Sequence, residues 1–127
     1  MKIILIRGLP GSGKTTMAKE YAAQGYVHCE ADHFFERDGE YHYDATQIRM
    51  AHADCVRRVM RALDEGRSVV VSNTFSQRWE MLPYQQLAGE YDAELRIIEA
   101  KGTWQNVHGV PEEAIERMRA RWEWEEE

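Results

Sequence analysis

The sequence predicts an α/β fold: a four-stranded parallel sheet flanked by helices, with a short lid near the C-terminus. Three observations carry this expectation. Short apolar runs alternate with helix-patterned segments in a βαβαβαβα order, a glycine-rich turn joins the first run to the first helix, and no repeat, low-complexity stretch or Pro/Gly-rich linker divides the 127 residues. One domain, 1–127, is therefore expected, large enough to bury a core without disulfides or a structural metal.

The first strand is Lys2 to Ile6, four consecutive isoleucine or leucine residues after a lysine. The first helix opens at Gly13-Lys14 and closes near Gly25, where a glycine suits a C-terminal stop. The second strand covers Tyr26 to Glu30. Asp44 with Gln47 has the pattern of a capping box for a long helix whose apolar face holds Ile48, Cys55, Val56, Val59 and Leu63, and Gly66 ends it. The third strand, Ser68 to Val71, is a short continuous apolar run of the kind buried on both faces of a parallel sheet. The fourth, Glu94 to Ala100, instead interleaves Glu94, Arg96 and Glu99 with Leu95, Ile97 and Ile98. Strands one and three are thus central, two and four are edges, and the sheet order is 2-3-1-4. A Gly-containing polar loop, Lys101 to Val110, forms the lid. Pro111 suits the first position of a last helix with Ile115, Met118 and Trp122 on its buried stripe, and the tail from Glu123 is a solvated end.

Gly8-Leu9-Pro10-Gly11-Ser12-Gly13-Lys14-Thr15 matches GxxxxGK[ST], and it follows a strand and opens a helix, the context that gives the motif its meaning. Gly8, Gly11 and Gly13 let successive backbone N–H groups curl round a phosphate chain, helped by the positive end of the helix. In this loop Lys14 reaches the β- and γ-phosphates, the Thr15 hydroxyl binds Mg²⁺, and Thr16 donates to the α-phosphate. Pro10 and Ser12 complete the cradle. The loop reads phosphates and not the base, so it does not distinguish ATP from GTP.

Ligands of open α/β sheets bind where the strand order reverses, which directs attention to the ends of strands two and three. Asp32 lies at the first. There it is either a general base that accepts the proton of an acceptor hydroxyl or a side chain that caps a turn. His28, Cys29, Asp32 and His33 form no expected metal site, because neighbouring residues of a strand point to opposite faces and no zinc spacing occurs. Asn73 and Thr74 end strand three, without the acidic residue that often holds Mg²⁺; they either bond a phosphate, a Mg-bound water or the acceptor, or cap the helix that follows. Arg117 and Arg121, one turn apart, either touch the nucleotide or pair with Glu113 and Glu125.

A formal charge of -6 and a pI near 5.4 argue against a broad nucleic-acid-coating surface, while leaving room for a local basic groove. Cys29 and Cys55 form no CxxC pair, and the apolar start is too short for a secretory segment. A reduced, cytoplasmic protein without a membrane partner is expected. Nothing in the sequence speaks to oligomeric state.

The stretches "RGLPGSGKTT", "ADHFFERDGEYHYD", "AHADC", "SNTFSQRWEMLPY" and "NVHGVPEEAIERMRARWE" together resemble the small P-loop kinase-type ATPases related to the kinase domain of NEDD4-binding protein 2, a group similar to polynucleotide 5′-hydroxyl kinases. The resemblance covers nearly the whole chain. It implies a P-loop NTPase of nucleoside/polynucleotide kinase-like form, ATP-Mg²⁺ as donor and a nucleic-acid or nucleoside 5′-hydroxyl as acceptor. It also implies that Asp32 is the base. Three positions depart from the pattern: Phe35 stands in place of an acceptor-positioning arginine, with Arg37 nearby; Asn73 stands in place of an aspartate; and the lid lacks its arginine, leaving Lys101, His108 or the helix arginines to substitute.

Overall fold

In the computed structural model, which describes residues 1–100 and 112–123, the most apolar strands take the centre of the sheet. The first, β1 (Lys2–Arg7), pairs in parallel on both sides. Along it Ile3 and Leu5 enter one core and Ile4 and Ile6 the other, so an unbroken apolar run is what two covered faces require. The next sheet strands are β2 (Val27–Cys29), β3 (Val69–Ser72) and β4 (Glu94–Glu99). Their order is β2-β3-β1-β4, all parallel, as expected. The third has every residue buried. The fourth joins β1 alone among the described residues, and Glu94 and Arg96 stay exposed on it.

Helices cover both faces. On one side, α1 (Lys14–Ala22) lays Ala18, flanked by Met17 and Tyr21, over Ile4, Ile6 and Val70. The larger core on the other side is filled by α2 (Ile48–Asp64) and α3 (Leu82–Glu90). Ala51, Cys55, Val59, Ala62 and Leu63 give α2 a buried stripe at spacings of three and four, and Tyr84, Leu87 and Ala88 come from α3. Gly25 and Gly66, both at positive φ, follow the ends of α1 and α2 where the chain turns back to β2 and β3. The last described helix, α4 (Glu112–Ala120), buries Ile115 and leaves Met118 half-buried.

Two local departures from expectation matter for the site. Asp44 does not cap α2. Its carboxylate accepts from Thr46 N (3.0 Å) and Thr46 Oγ1 (2.6 Å), closing a separate 3₁₀ turn over Ala45–Gln47, so the Thr46 hydroxyl displaces the capping-box partner and α2 starts at Ile48. Between β2 and that turn the chain also forms a 3₁₀ turn at Ala31–Phe35 and a short antiparallel hairpin, Glu36–Arg37 against Glu40–Tyr41. The hairpin turns on Asp38-Gly39, both at positive φ (52° and 80°), the geometry that an Asp-Gly pair favours. The expected lid, with Lys101, His108 and Pro111, and the tail beyond Glu123 lie outside the described residues.

Candidate active site

The glycine loop leaves β1 as an open cradle. Gly11 (φ 82°) and Gly13 (φ 93°) hold left-handed backbone that a side chain would strain, and Gly13 immediately precedes α1, whose first N–H groups have no intrahelical acceptor. Gly8 is fixed by space instead. A Cβ there would sit 2.3 Å from Ser12 Oγ and 2.9 Å from the Ala100 carbonyl oxygen. The loop is pinned by Gly8 N donating to Thr74 O (3.2 Å) and Ser12 N to Leu9 O (3.0 Å). Pro10 lies half-buried within it and Thr16 is exposed on the first turn of α1.

Two features fit this cradle to an anion. Ser12 Oγ is buried without a hydrogen-bond partner among the described residues. Lys14 Nζ donates to the carbonyls of Gly8 (2.8 Å) and Leu9 (3.0 Å), resting on the loop that it would share with a phosphate chain. Burial lowers the Lys14 pKa to about 8, although Glu30 and Asp32 pull the other way. A neighbouring negative charge would restore the full cation.

Glu30 was not anticipated as a site residue. It is buried, and its Oε2 accepts from Thr15 Oγ1 at 3.4 Å, so a carboxylate stands beside the hydroxyl expected to bind Mg²⁺. The all-oxygen pair suits a hard cation. The sequence signal was the period-two alternation through β2 and the extended residue after it, which sets His28 and Glu30 on one side and turns Cys29 into the main core. Burial pushes the Cys29 thiol up to about 12, so it stays protonated there.

His28, Cys29, Asp32 and His33 do not converge as a set of four, since Cys29 points into the main core, but the two histidines meet at Glu30, which the sequence reading had not included. The 3₁₀ turn after β2, closed by His33 N donating to Glu30 O (3.2 Å), brings His33 back over Glu30, and the His28 and His33 rings meet edge to face at 5.3 Å. Burial lowers the His28 pKa, while a hydrogen bond to Glu30 raises that of His33. Burial would raise the Glu30 carboxyl, but the His33 hydrogen bond and the charges of both histidines hold it below the usual range.

Asp32 is half-buried on the same turn, and Tyr41 OH from the hairpin donates to its Oδ1 at 3.0 Å. Burial, with Asp32 second, raises the Tyr41 pKa, so the phenol remains a donor. Asn73 braces the turn from beneath: its Oδ1 accepts from Ala31 N at 2.8 Å and its Nδ2 contacts Cys55 Sγ at 3.8 Å. Its side chain thus finds partners within the fold, and it caps no helix. Thr74 is half-buried and supplies the carbonyl that holds Gly8. Arg37 is exposed on the hairpin beside stacked Tyr41 and Tyr43, whose ring centroids are 6.4 Å apart at 21°. Arg117 is exposed on α4, and Arg121 Nε donates to Ser76 Oγ at 3.2 Å.

One further residue escaped the sequence reading. Arg7, at the end of β1, is fully buried; its Nε and Nη2 donate to the Phe75 carbonyl (3.1 and 2.8 Å), Nη2 also donates to the Glu123 carbonyl, and the guanidinium lies 4.4 Å over the Trp122 ring. An arginine ending an apolar strand carries no visible signal of its partners, which lie 68 and 116 residues away.

Comparison with known proteins agrees with this architecture. NEDD4-binding protein 2 from Homo sapiens is 32% identical over 129 aligned positions, covering 91% of this chain; the chain spans 7% of that protein's length. Among solved structures, the Pnkp1/Rnl/Hen1 RNA repair complex has a chain that superposes with a TM-score of 0.65 at 18% identity, covering 94% of this chain and 43% of its own. A gluconokinase from Sinorhizobium meliloti 1021 superposes with a TM-score of 0.64 at 18% identity, covering 96% and 75%. At these identities the structures share the fold, which is that of P-loop kinases. The AAA domain family model matches residues 3–108, a span that takes in the glycine loop, the β2 turn and the hairpin, and the chain belongs to that family.

Proposed function

We propose that the chain is an ATP-dependent phosphotransferase that works with Mg²⁺ and passes the γ-phosphate to the 5′-hydroxyl of a polynucleotide or nucleoside. The observation that carries this reading is Asp32: a half-buried carboxylate near enough to Lys14 to act on its charge, and aimed by the Tyr41 hydroxyl. Lys14 exchanges the Gly8 and Leu9 carbonyls for the donor phosphates, and the loop N–H groups with Ser12 Oγ, Thr15 and Thr16 take the remaining oxygens. Thr15 and Glu30 would hold Mg²⁺, which supplies charge neutralisation on the phosphates when bound. Asp32 accepts the acceptor's hydroxyl proton as the new P–O bond forms and the bond from the γ-phosphorus to the β,γ-bridging oxygen breaks, with ADP as the leaving group. Arg121, released from Ser76, or Arg117 can reach for the donor phosphates in place of a lid arginine.

The hairpin supports a nucleic-acid or nucleoside acceptor. Tyr43 is 56% exposed and Tyr41 stacks beside it against Asp32, so a base finds an aromatic face next to Asp32, and the hairpin carries a positive charge at Arg37, opposite Glu40. In this reading Thr74 lies on the acceptor side, and Asn73 serves the acceptor through the turn that it braces. Free, buried Cys29 and Cys55 support a reducing, cytoplasmic setting. No described helix is long and apolar enough to cross a membrane.

The charge of -6 favours a second reading, a small-metabolite or protein kinase on the same scaffold. A third is a nucleotide-binding module without transfer activity. Incubation with labelled ATP-Mg²⁺ and a panel of 5′-hydroxyl DNA, 5′-hydroxyl RNA, nucleosides and gluconate separates them, with a 5′-phosphorylated strand as the blocked control. Label on the 5′-hydroxyl species alone is the expected result. Label only on a small metabolite selects the second reading, and nucleotide binding without label anywhere selects the third.

A further inference from the structure

The phosphotransfer reading uses one oxygen of Glu30 and neither histidine. The other oxygen, Oε1, lies 3.4 Å from His33 Nε2 and 3.6 Å from His28 Nε2, and all three ligand atoms fall within 4.8 Å of one another. Two imidazole nitrogens and a carboxylate form a donor set that prefers first-row transition ions to Mg²⁺ or Ca²⁺. The spacing is also right. Metal bonds of about 2.0–2.2 Å at tetrahedral angles separate neighbouring donors by about 3.4 Å, so two of the three separations are already close to their bound values.

The three side chains converge for reasons built into the backbone. His28 lies on β2 and Glu30 just past its end in extended backbone, two residues on and so on the same side, and the 3₁₀ turn folds His33 over them. Their side chains are 15%, 9% and 26% exposed, sheltered but open to an entering ion on the His33 side. Ser72 Oγ, 2.8 Å from His28 Nε2, also hydrogen-bonds Glu30, so it can release the imidazole and keep a partner. Cys29, beside them in sequence, points into the opposite core and takes no part.

We propose that His28, Glu30 and His33 form a binding site for a first-row divalent transition ion, occupied without nucleotide and distinct from the all-oxygen Mg²⁺ position at Thr15, with which it shares only the Glu30 carboxylate. Three protein donors leave at least one coordination position for water or an anionic ligand. Because Glu30 also accepts from Thr15, occupation of the site fixes the carboxylate that borders the glycine loop. The inference does not depend on the phosphotransfer reading, since the binding it asserts needs neither ATP nor an acceptor.

The test is a calorimetric titration of the nucleotide-free chain with Zn²⁺, paired with Co²⁺ and its visible absorption. One ion per chain should bind, with a Co²⁺ spectrum of low-symmetry, nitrogen-containing coordination. His28→Ala and His33→Ala should each weaken Zn²⁺ by at least about 10-fold, since loss of even an outer partner of a metal ligand costs 10- to 100-fold. His33→Gln, which keeps a hydrogen-bond donor for Glu30 but cannot replace imidazole, guards against a variant that fails to fold. His42→Ala, at an exposed pair with Glu40, should bind as the wild type does. In the wild-type chain, Zn²⁺ should shift the imidazole proton resonances of His28 and His33 and leave those of His42 and His52 in place. No binding by the wild type at 100 µM free Zn²⁺, unchanged affinity in His33→Gln, or resonance shifts confined to other histidines would overturn the proposal.

Discussion

Lys14 illustrates how one side chain can be both structural and chemical. Its ammonium satisfies two carbonyls of the loop, and burial lowers its pKa to about 8, so phosphate oxygens are better partners than the ones it has. Lys14→Ala should therefore abolish most of the thermal stabilisation by ATP-Mg²⁺, an effect worth about 2.7 kcal/mol in the wild type at 100 times Kd. Equal stabilisation of both proteins in a melting assay would remove the loop from nucleotide binding. In the proposed function, Asp32 separates binding from transfer. Asp32→Asn keeps an oxygen for the Tyr41 hydroxyl but takes no proton, so nucleotide affinity should hold while transfer to a 5′-hydroxyl strand falls by roughly 100- to 10,000-fold. An equal labelling rate would leave Asp32 as a turn residue. Both residues were visible in the sequence because a motif or a strand end marked them. Glu30 was not, because a carboxylate on a strand face becomes informative only once the strand beside it, with Ser72, and the helix carrying Thr15 are in place.

At the level of elements, the glycine loop behaves as a moulded part. Gly8 needs no special backbone conformation, yet its missing Cβ is what lets β1 pass under Ser12 and against the Ala100 carbonyl. Gly8→Ala should distort the cradle at a cost of about 1–3 kcal/mol in stability and weaken ATP-Mg²⁺ binding, measured by melting with and without nucleotide. A variant that melts and binds as the wild type does would show that the loop can relax. The four sheet strands and their order were legible because burial on two faces writes itself as an unbroken apolar run, as in β1 and β3, and an edge writes itself as interleaved charge, as in β4. The β2 turn and hairpin were less legible. Each hairpin strand has two residues, too few for any period, and only Asp38-Gly39 announced the turn. Its aromatic residues take their meaning from Asp32, nine residues from Tyr41 in the chain and in contact in space.

On the scale of the molecule, Arg7 ties the end of the central strand to both the segment after β3 and the C-terminal segment. We propose that residues 1–127 unfold as one cooperative unit, with this buried guanidinium joining the last helix to the sheet. Trp122 lies over it, so in a variant that keeps Trp122 and carries Trp79→Phe, Trp104→Phe and Trp124→Phe, tryptophan fluorescence follows the C-terminal segment while far-ultraviolet circular dichroism follows the helices as a whole. In urea the two signals should trace one coincident transition with a slope of about 1–3 kcal/mol per molar. An earlier fluorescence transition would mean that the C-terminal segment detaches first. The sheet's other margin has a different consequence. Among the described residues β4 pairs on one side alone, and a strand's other side is a row of backbone donors and acceptors, a template onto which another chain can add. Glu94 and Arg96, exposed on β4 with Nη2 3.9 Å from Oε1, set hydrated charges along that side. Glu94→Val with Arg96→Val should leave the melting transition nearly unchanged while making light scattering rise with concentration and time. The interleaved charge of β4 would then protect the chain against self-assembly into extended sheets, and equal scattering by the variant and the wild type would assign that protection elsewhere.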